Sequence, residues 1–216
     1  MILMLYETFK YDTSKFRFRE TVKEIMGVGQ LEQSHNEFKF PEKLVTMKDQ
    51  NTVLHNKFYN SMREDKFSSL YINFIKDFIC EMFDEPVLYQ KWPSFRVHQP
   101  ENVAVGEFHK DSDFGHDTNE HNFWLPFTDA FETNTVWIEN PDTLEIEPMN
   151  VEYGNVAKFN GANINHGNKA NKTGQTRMSI DFRIFKLSQY NSEVQNKRET
   201  VTQKKKLIIG DYWAEI

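Results

Sequence analysis

The chain has 216 residues, enough for one domain with a sizeable core. Nineteen Phe, eight Tyr and four Trp exclude wholesale disorder, and a formal net charge of −6 without a basic stripe argues against a broad nucleic-acid surface. A single cysteine, Cys80, excludes an internal disulfide and fits a reducing compartment.

The first six residues are apolar, but no basic segment precedes them and Glu7 follows at once, which does not read as a signal peptide. No stretch has the length of a transmembrane helix, so the expectation is a soluble, cytoplasmic protein without membrane partners. Residues 1–86 read as a helical annex. One helix is expected over 19–26, stopped by Gly27-Val28-Gly29, a second near 51–63, and the clearest over 67–83. In that last segment Phe67, Leu70, Tyr71, Phe74, Phe78 and Met82 follow the three-and-four spacing of a buried stripe, and Pro86 ends it. Cys80 lies within this stripe and reads as a small buried hydrophobe.

From residue 87 the pattern turns to short strands, expected over 87–90 and 95–99, 103–109, 122–127, 134–139, 145–148, 156–160, 163–168 and 175–185. Asn140-Pro141-Asp142, Tyr153-Gly154-Asn155 and Asn160-Gly161 supply turns between them. Many short strands with regular turns indicate a sandwich or jelly roll. The tail, 187–216, is polar at first and carries Lys204-Lys205-Lys206, a solvated turn. It then ends in an apolar run that packs back on the domain or meets a second copy in a homodimer. The organisation is one domain over 1–216, with the annex at 1–86, a β core at 87–186 and an extension at 187–216.

The chemistry concentrates between Val103 and Arg183. In a strand running to His109, residues two apart share a face, so His109 and Asp111 point the same way. An imidazole and a carboxylate side by side are two ligands for a divalent first-row metal, and a third would complete a two-His, one-carboxylate triad suited to non-haem Fe(II). Taken alone, the pair reads more simply as a strand ending in a polar turn. His166 follows 55 positions after Asp111, and Arg177 lies 11 beyond it. The run from Arg177 to Ile184 alternates strictly. Arg177, Ser179, Asp181 and Arg183 share one face and Met178, Ile180, Phe182 and Ile184 the other. An Arg and a Ser two apart on one face can hold a carboxylate, the guanidinium in a bidentate pair and the hydroxyl by a further hydrogen bond.

His109-x-Asp111, His166 and Arg177-x-Ser179, in that order, resemble the Fe(II)- and 2-oxoglutarate-dependent oxygenases over about residues 85 to 186. Asn122-Phe123-Trp124-Leu125-Pro126, the segment 133–139 and His166-Gly167-Asn168 are most similar to short bacterial hydroxylases related to phytanoyl-CoA hydroxylase and to a streptomycin-biosynthesis oxygenase. The resemblance implies a double-stranded β-helix (jelly-roll, cupin-like) core with N-terminal helices. It also implies Fe(II) on His109, Asp111 and His166, 2-oxoglutarate with its distal carboxylate on Arg177 and Ser179, and O2 as oxidant. A small polar metabolite would be hydroxylated with release of succinate and CO2.

Neighbouring residues offer alternatives. His98, His116 and His121 compete for the metal. His116 lies in what reads as a mobile loop, and Asn122 and Trp124 are favoured over His121 as pocket lining. Glu107 shares the His109 face and is a candidate for substrate contact. So is Arg183, unless it pairs structurally with Asp181 or Glu107. Arg183 and Lys158 are the fallback anchors for the cosubstrate. A cupin-type isomerase would use several histidines and a glutamate at close spacing, which is absent around His109. A non-catalytic jelly roll would use Trp124 and Trp137 as a platform and has no use for Arg177-x-Ser179 beside a full triad.

Overall fold

The computed structural model describes residues 5–40, 51–104, 107–201 and 204–216, so expectations that fall on residues 1–4, or on Val105 and Gly106, lie outside it. The chain opens with a strand, β1 (Tyr6–Lys10), followed by α1 (Phe18–Met26), which buries Phe18, Val22 and Met26. Gly27 ends α1 with φ +73°, a left-handed conformation that glycine adopts without strain, and its N–H returns to the Lys23 carbonyl at 2.9 Å. In α2 (Val53–Arg63) the first turn is capped by Thr52, whose hydroxyl accepts from the His55 N–H. The third helix begins as α3 (Ser68–Phe74), widens to π turns over Ile75–Ile79 and closes as a 3-10 turn over Cys80–Met82. The single α-helix expected over 67–83 therefore changes its winding midway, while Tyr71, Phe74, Ile75 and Ile79 stay buried.

Strands follow: β2 (Val87–Gln90), β3 (Ser94–His98), β4 (His121–Pro126), β5 (Val136–Glu139), β6 (Ile146–Met149), β7 (Asn155–Phe159), β8 (His166–Gly167) and β9 (Arg177–Lys186). A four-residue helix, α4 (Ser192–Gln195), and β10 (Trp213–Glu215) complete the chain. The larger sheet runs β1-β7-β4-β9-β2-β10, with β3 also on β9, and the smaller runs β6-β5-β8. All these strand pairs are antiparallel. Trp124 and Ala157 of the larger sheet cluster with Val136, Ile138 and Met149 of the smaller one, so the sheets face each other as the double-stranded β-helix requires. Both terminal segments contribute an edge strand to the larger sheet. The N-terminal part is thus not purely helical, and the extension is not merely appended.

Strand β9 organises the molecule. Met178, Ile180, Phe182 and Ile184 are all fully buried in the main core, where Phe18, Phe58, Phe67, Phe74, Phe95, Phe123 and Phe127 also lie. Phe58 of α2 stacks on Phe95 of β3 at 4.4 Å between ring centroids, joining the helices to the outer face of the sheet, and on that face Phe123 of β4 stacks on Phe182 of β9 at 5.4 Å. The other face of β9 carries Arg177, Ser179, Asp181 and Arg183 into the interior of the barrel.

One expected strand is absent among the described residues of its span. Residues 103, 104, 107 and 108 form no ladder, Ala104 takes a left-handed φ of +52°, and His109 makes only an isolated bridge with His166. Asp111 begins a 3-10 turn, Asp111–Phe114. The β-branched content of 103–109 raises strand propensity but supplies no partner strand, and pairing decides. The strand expected over 163–168 shrinks to β8, because the Asn163 and Ile164 N–H groups turn back to the Asn160 carbonyl. Among the described residues no helix is long and apolar enough to cross a membrane.

His55, on the buried face of α2, has its Nδ1 2.8 Å from the Thr52 hydroxyl, and burial followed by the nearby Arg96 charge depresses its pKa to about 4. Burial likewise lowers His121 to about 4, helped by Lys158 and Lys186. Both fold neutral but titrate near 6.5 once unfolded. The unfolded chain therefore binds more protons between those values, and stability present above pH 6.5 is lost as pH falls toward 4. The thermal midpoint of the metal-free protein should decline across that window, and His55→Leu should make the decline shallower. An unchanged slope in the variant would show that His55 is not one of the groups responsible.

Candidate metal centre

The three residues that converge come from three different local structures. His109 is seated by its two-way backbone bridge with His166, both N–H···O distances being 3.0 Å. Asp111 is held by its N–H on the Gly161 carbonyl at 2.9 Å. His166 belongs to β8, opposite Ile138. One ligand atom from each of His109, Asp111 and His166 lies within 4.8 Å of the others. They meet through tertiary contacts, and the shared strand face expected for His109 and Asp111 plays no part.

Hydrogen bonding prepares each donor. His109 Nδ1 is 2.7 Å from the Glu107 carbonyl and His166 Nδ1 is 3.0 Å from the Ile164 carbonyl. A carbonyl only accepts, so both rings carry their proton on Nδ1 and turn an Nε2 lone pair inward. Those Nε2 atoms lie 3.5 and 3.7 Å from Asp111 Oδ1. The other carboxylate oxygen, Oδ2, accepts from Asn122 Nδ2 at 2.5 Å and from Arg183 Nη2 and Nε at 2.7 and 3.2 Å. Asp111 therefore offers Oδ1 alone. Two imidazole nitrogens and one carboxylate oxygen on one side, with their outer hydrogen bonds in place, fit a divalent first-row metal with open positions.

Electrostatics agree with that fit. Burial works against the Asp111 charge, but the Arg183 guanidinium and the adjacent histidines hold the carboxyl well below its usual range. Burial also disfavours the His109 imidazolium, yet the adjacent Asp111 carboxylate leaves its pKa raised. For His166 burial prevails over Asp111 and the pKa is lowered.

Asn122 and Trp124 are neighbours on the inner face of β4. Asn122 donates to Asp111 and accepts from the Ala162 N–H at 3.2 Å, while Trp124 Nε1 donates to the Ser179 hydroxyl at 3.1 Å. A Cβ on Gly161 would stand 2.8 Å from the Phe159 ring and 3.0 Å from the Asn122 amide, so that close approach needs glycine. Arg177 is 1% exposed and donates to the Asn134 carbonyl, the Ser179 hydroxyl and Asn168 Oδ1 at 3.0, 2.9 and 3.0 Å. His98 lies beside it, its Nδ1 3.5 Å from Arg177 Nη2, with a pKa pushed down to about 3 by burial and then by the Arg177 charge.

Other expected placements differ. All three guanidinium nitrogens of Arg183 face protein acceptors, namely Asp111 and, through Nη1, Gln90 Oε1 and the Tyr212 hydroxyl, each at 3.2 Å. Its structural partners are Asp111 and Glu120, at 2.7 and 3.5 Å, with Asp181 at 3.9 Å. Asp181 pairs instead with Arg96 at 2.8 Å. Glu107 is exposed and meets His109 through its backbone. Lys158 faces the opposite side of the sheet, over the Phe83 ring. His116, expected in a mobile solvated loop, is buried with Nδ1 2.9 Å from Glu120 Oε2. Glu120, Gln90 and Tyr212 gave no sequence signal, because each reaches the centre only through Arg183.

No family model matches the chain. It is 36% identical over 209 residues to the streptomycin biosynthesis protein StrG of Streptomyces griseus, covering 96% of this chain and 97% of that one. The chain belongs to the StrG family. Among solved structures, Fe-bound EctD from S. alaskensis aligns with a TM-score of 0.52 at 10% identity, over 85% of this chain and 73% of that chain. EctD with 2-oxoglutarate and 5-hydroxyectoine aligns equally well. The apo form of the non-haem monooxygenase ThoJ aligns with a TM-score of 0.50 at 8% identity, over 91% and 76%. At such identities these likenesses establish a shared fold, which this StrG-family chain builds around His109, Asp111 and His166.

Because Asn122 orients the carboxylate without belonging to the donor set, Asn122→Ala should weaken Mn(II) binding about 10–100-fold. Calorimetric titration of the folded variant measures this, and wild-type affinity would remove Asn122 from any supporting role.

Proposed function

We propose that this StrG-family protein is a non-haem Fe(II)- and 2-oxoglutarate-dependent oxygenase that hydroxylates a small polar metabolite in the cytoplasm. The observation that carries the reading is the prepared donor set: two Nε2 lone pairs and the single oxygen Oδ1, with every outer atom already engaged. His109, Asp111 and His166 hold the metal and leave the remaining positions to exogenous ligands. Arg177 and Ser179 receive the distal carboxylate of 2-oxoglutarate. The guanidinium is already fixed by Asn134 and Asn168, so its orientation costs little on binding. Trp124 holds the Ser179 hydroxyl in place and forms the apolar wall beside it, with the Arg177 guanidinium 5.4 Å from its ring.

When bound, iron and 2-oxoglutarate supply the oxidising chemistry: 2-oxoglutarate, O2 and substrate C–H give succinate, CO2 and substrate C–OH. The chain's own residues bind and orient. His109 and His166 keep their protons on Nδ1, Asn122 and Arg183 occupy Asp111 Oδ2, and the fully buried core behind β9 keeps water from the far side of the sheet. Glu107, exposed at the rim, stays a candidate for substrate contact. Arg183, paired with the carboxylates of Asp111 and Glu120, is assigned to Asp111.

Anaerobic addition of Fe(II) and 2-oxoglutarate should produce the weak visible charge-transfer band of a ferrous keto-acid chelate, and Asp111→Ala should abolish it. A well-folded wild-type protein without the band would overturn the oxygenase reading. Arg177→Ala should weaken 2-oxoglutarate binding at the iron-loaded site by about 2–5 kcal/mol, as expected when one partner of a buried charge pair is removed. Unchanged affinity would remove Arg177 as the anchor.

A further inference from the structure

The segment 187–216 has no part in the donor set, yet its contacts fall on the groups around Asp111. Strand β10 pairs with β2, setting Trp213 opposite Gln90. The preceding residue, Tyr212, is 6% exposed, and its hydroxyl accepts from Arg183 Nη1 at 3.2 Å. The same guanidinium donates to Asp111 Oδ2. Tyr212 therefore stands two hydrogen bonds from the carboxylate.

The loop that leaves Asp111 is held by the same segment. Val201 N–H donates to the Phe114 carbonyl at 3.1 Å, Arg198 Nη1 to the His116 carbonyl at 3.1 Å, and Gln195 Nε2 to Asp117 Oδ2 at 2.8 Å. The His116 ring packs on Tyr212 at 5.6 Å between centroids. Gly115 sits so close that a Cβ would stand 2.5 Å from the Glu199 carbonyl oxygen, and its φ is +93°. Residues 114–117 are thus clasped by Gln195, Arg198, Glu199, Val201 and Tyr212, and the loop cannot shift without breaking several of these contacts at once.

We propose that the C-terminal segment is a positioning element of the metal centre. It fixes the Asp111 loop and, through Tyr212 and Arg183, keeps Oδ2 engaged so that the metal receives Oδ1 alone. This deepens the oxygenase reading and rests on the same three-residue metal site. A carboxylate with one oxygen held by a guanidinium and an amide binds through the other, so the coordination positions needed by the keto acid and O2 stay open. A carboxylate freed from Arg183 can rotate, or chelate with both oxygens and take one of those positions. Arg183 and Tyr212 are positioning residues: Arg183 bonds one ligand, Asp111, and Tyr212 reaches that ligand only through Arg183.

The test uses the full chain with Tyr212→Phe, which removes only the accepting hydroxyl, and Arg198→Ala, which releases the loop from a partly exposed position. Mn(II) affinity is measured by titration, Co(II) coordination by its visible spectrum, and folding by the thermal midpoint of the metal-free protein. The expected result is Mn(II) affinity lowered roughly 3–10-fold in each variant, less than for groups bonded directly to the carboxylate. The Co(II) spectrum should be altered and the thermal midpoint little changed. Wild-type Mn(II) affinity and Co(II) spectrum in both variants would overturn the proposal, even if the midpoint fell, since that combination marks a purely structural segment. Should Tyr212→Phe fail to fold, Arg198→Ala decides by the same readouts. A wild-type protein that binds neither ion would instead overturn the metal-centre reading on which this inference rests.

Discussion

Everything at the centre of this protein depends on how one buried carboxylate is shared. Asp111 is 4% exposed, and an ionised carboxylate at that depth is tolerated only when hydrogen-bonded and paired. The two oxygens are treated differently. Oδ2 takes the Arg183 guanidinium and the Asn122 amide, which keep the group ionised, and Oδ1 is left facing two imidazole lone pairs. That division turns a side chain that would otherwise be a liability into a directed ligand, and it draws in β9, β4 and the C-terminal segment as supports.

Strand β9 lets one stretch of chain serve the core and the site together. Its alternation sends four apolar side chains into the helical layer and four polar ones into the barrel, so the packing that stabilises the fold also sets where Arg177, Ser179, Asp181 and Arg183 stand. A slip of one residue would exchange the two sets and destroy both functions. Pairing with β4 along six residues, and with β2 and β3 on the other side, holds the register. The aromatic layer of α1, α2 and α3 then covers the apolar face.

Much of this was legible in the sequence. The two-faced character of 175–185, the helix over 19–26 and the larger share of the strands followed from spacing and turn residues, because those features depend on near neighbours. The order His109, Asp111, His166, Arg177 also stood out, since few structural demands produce that set. His109 and Asp111 share no strand face: among the described residues of 103–109 there is no ladder, and the two side chains meet by way of a bridge to His166 and a bond to Gly161. The residues were legible where their local geometry was not, because a strand needs a partner that its own residues do not specify.

The sequence by itself determined the fold class, the two faces of β9 and which residue types could hold a metal, since periodicity and side-chain chemistry are local properties. Only the tertiary structure decided which of them act together. It buried His116 against Glu120, gave Arg183 to Asp111, turned Lys158 to the outer face and brought Tyr212 from the far end of the chain to the same guanidinium. Apart from the local His116–Glu120 pair, each of these outcomes depends on contacts between residues far apart in sequence, where burial makes an unpaired charge costly and a distant partner is recruited to meet it.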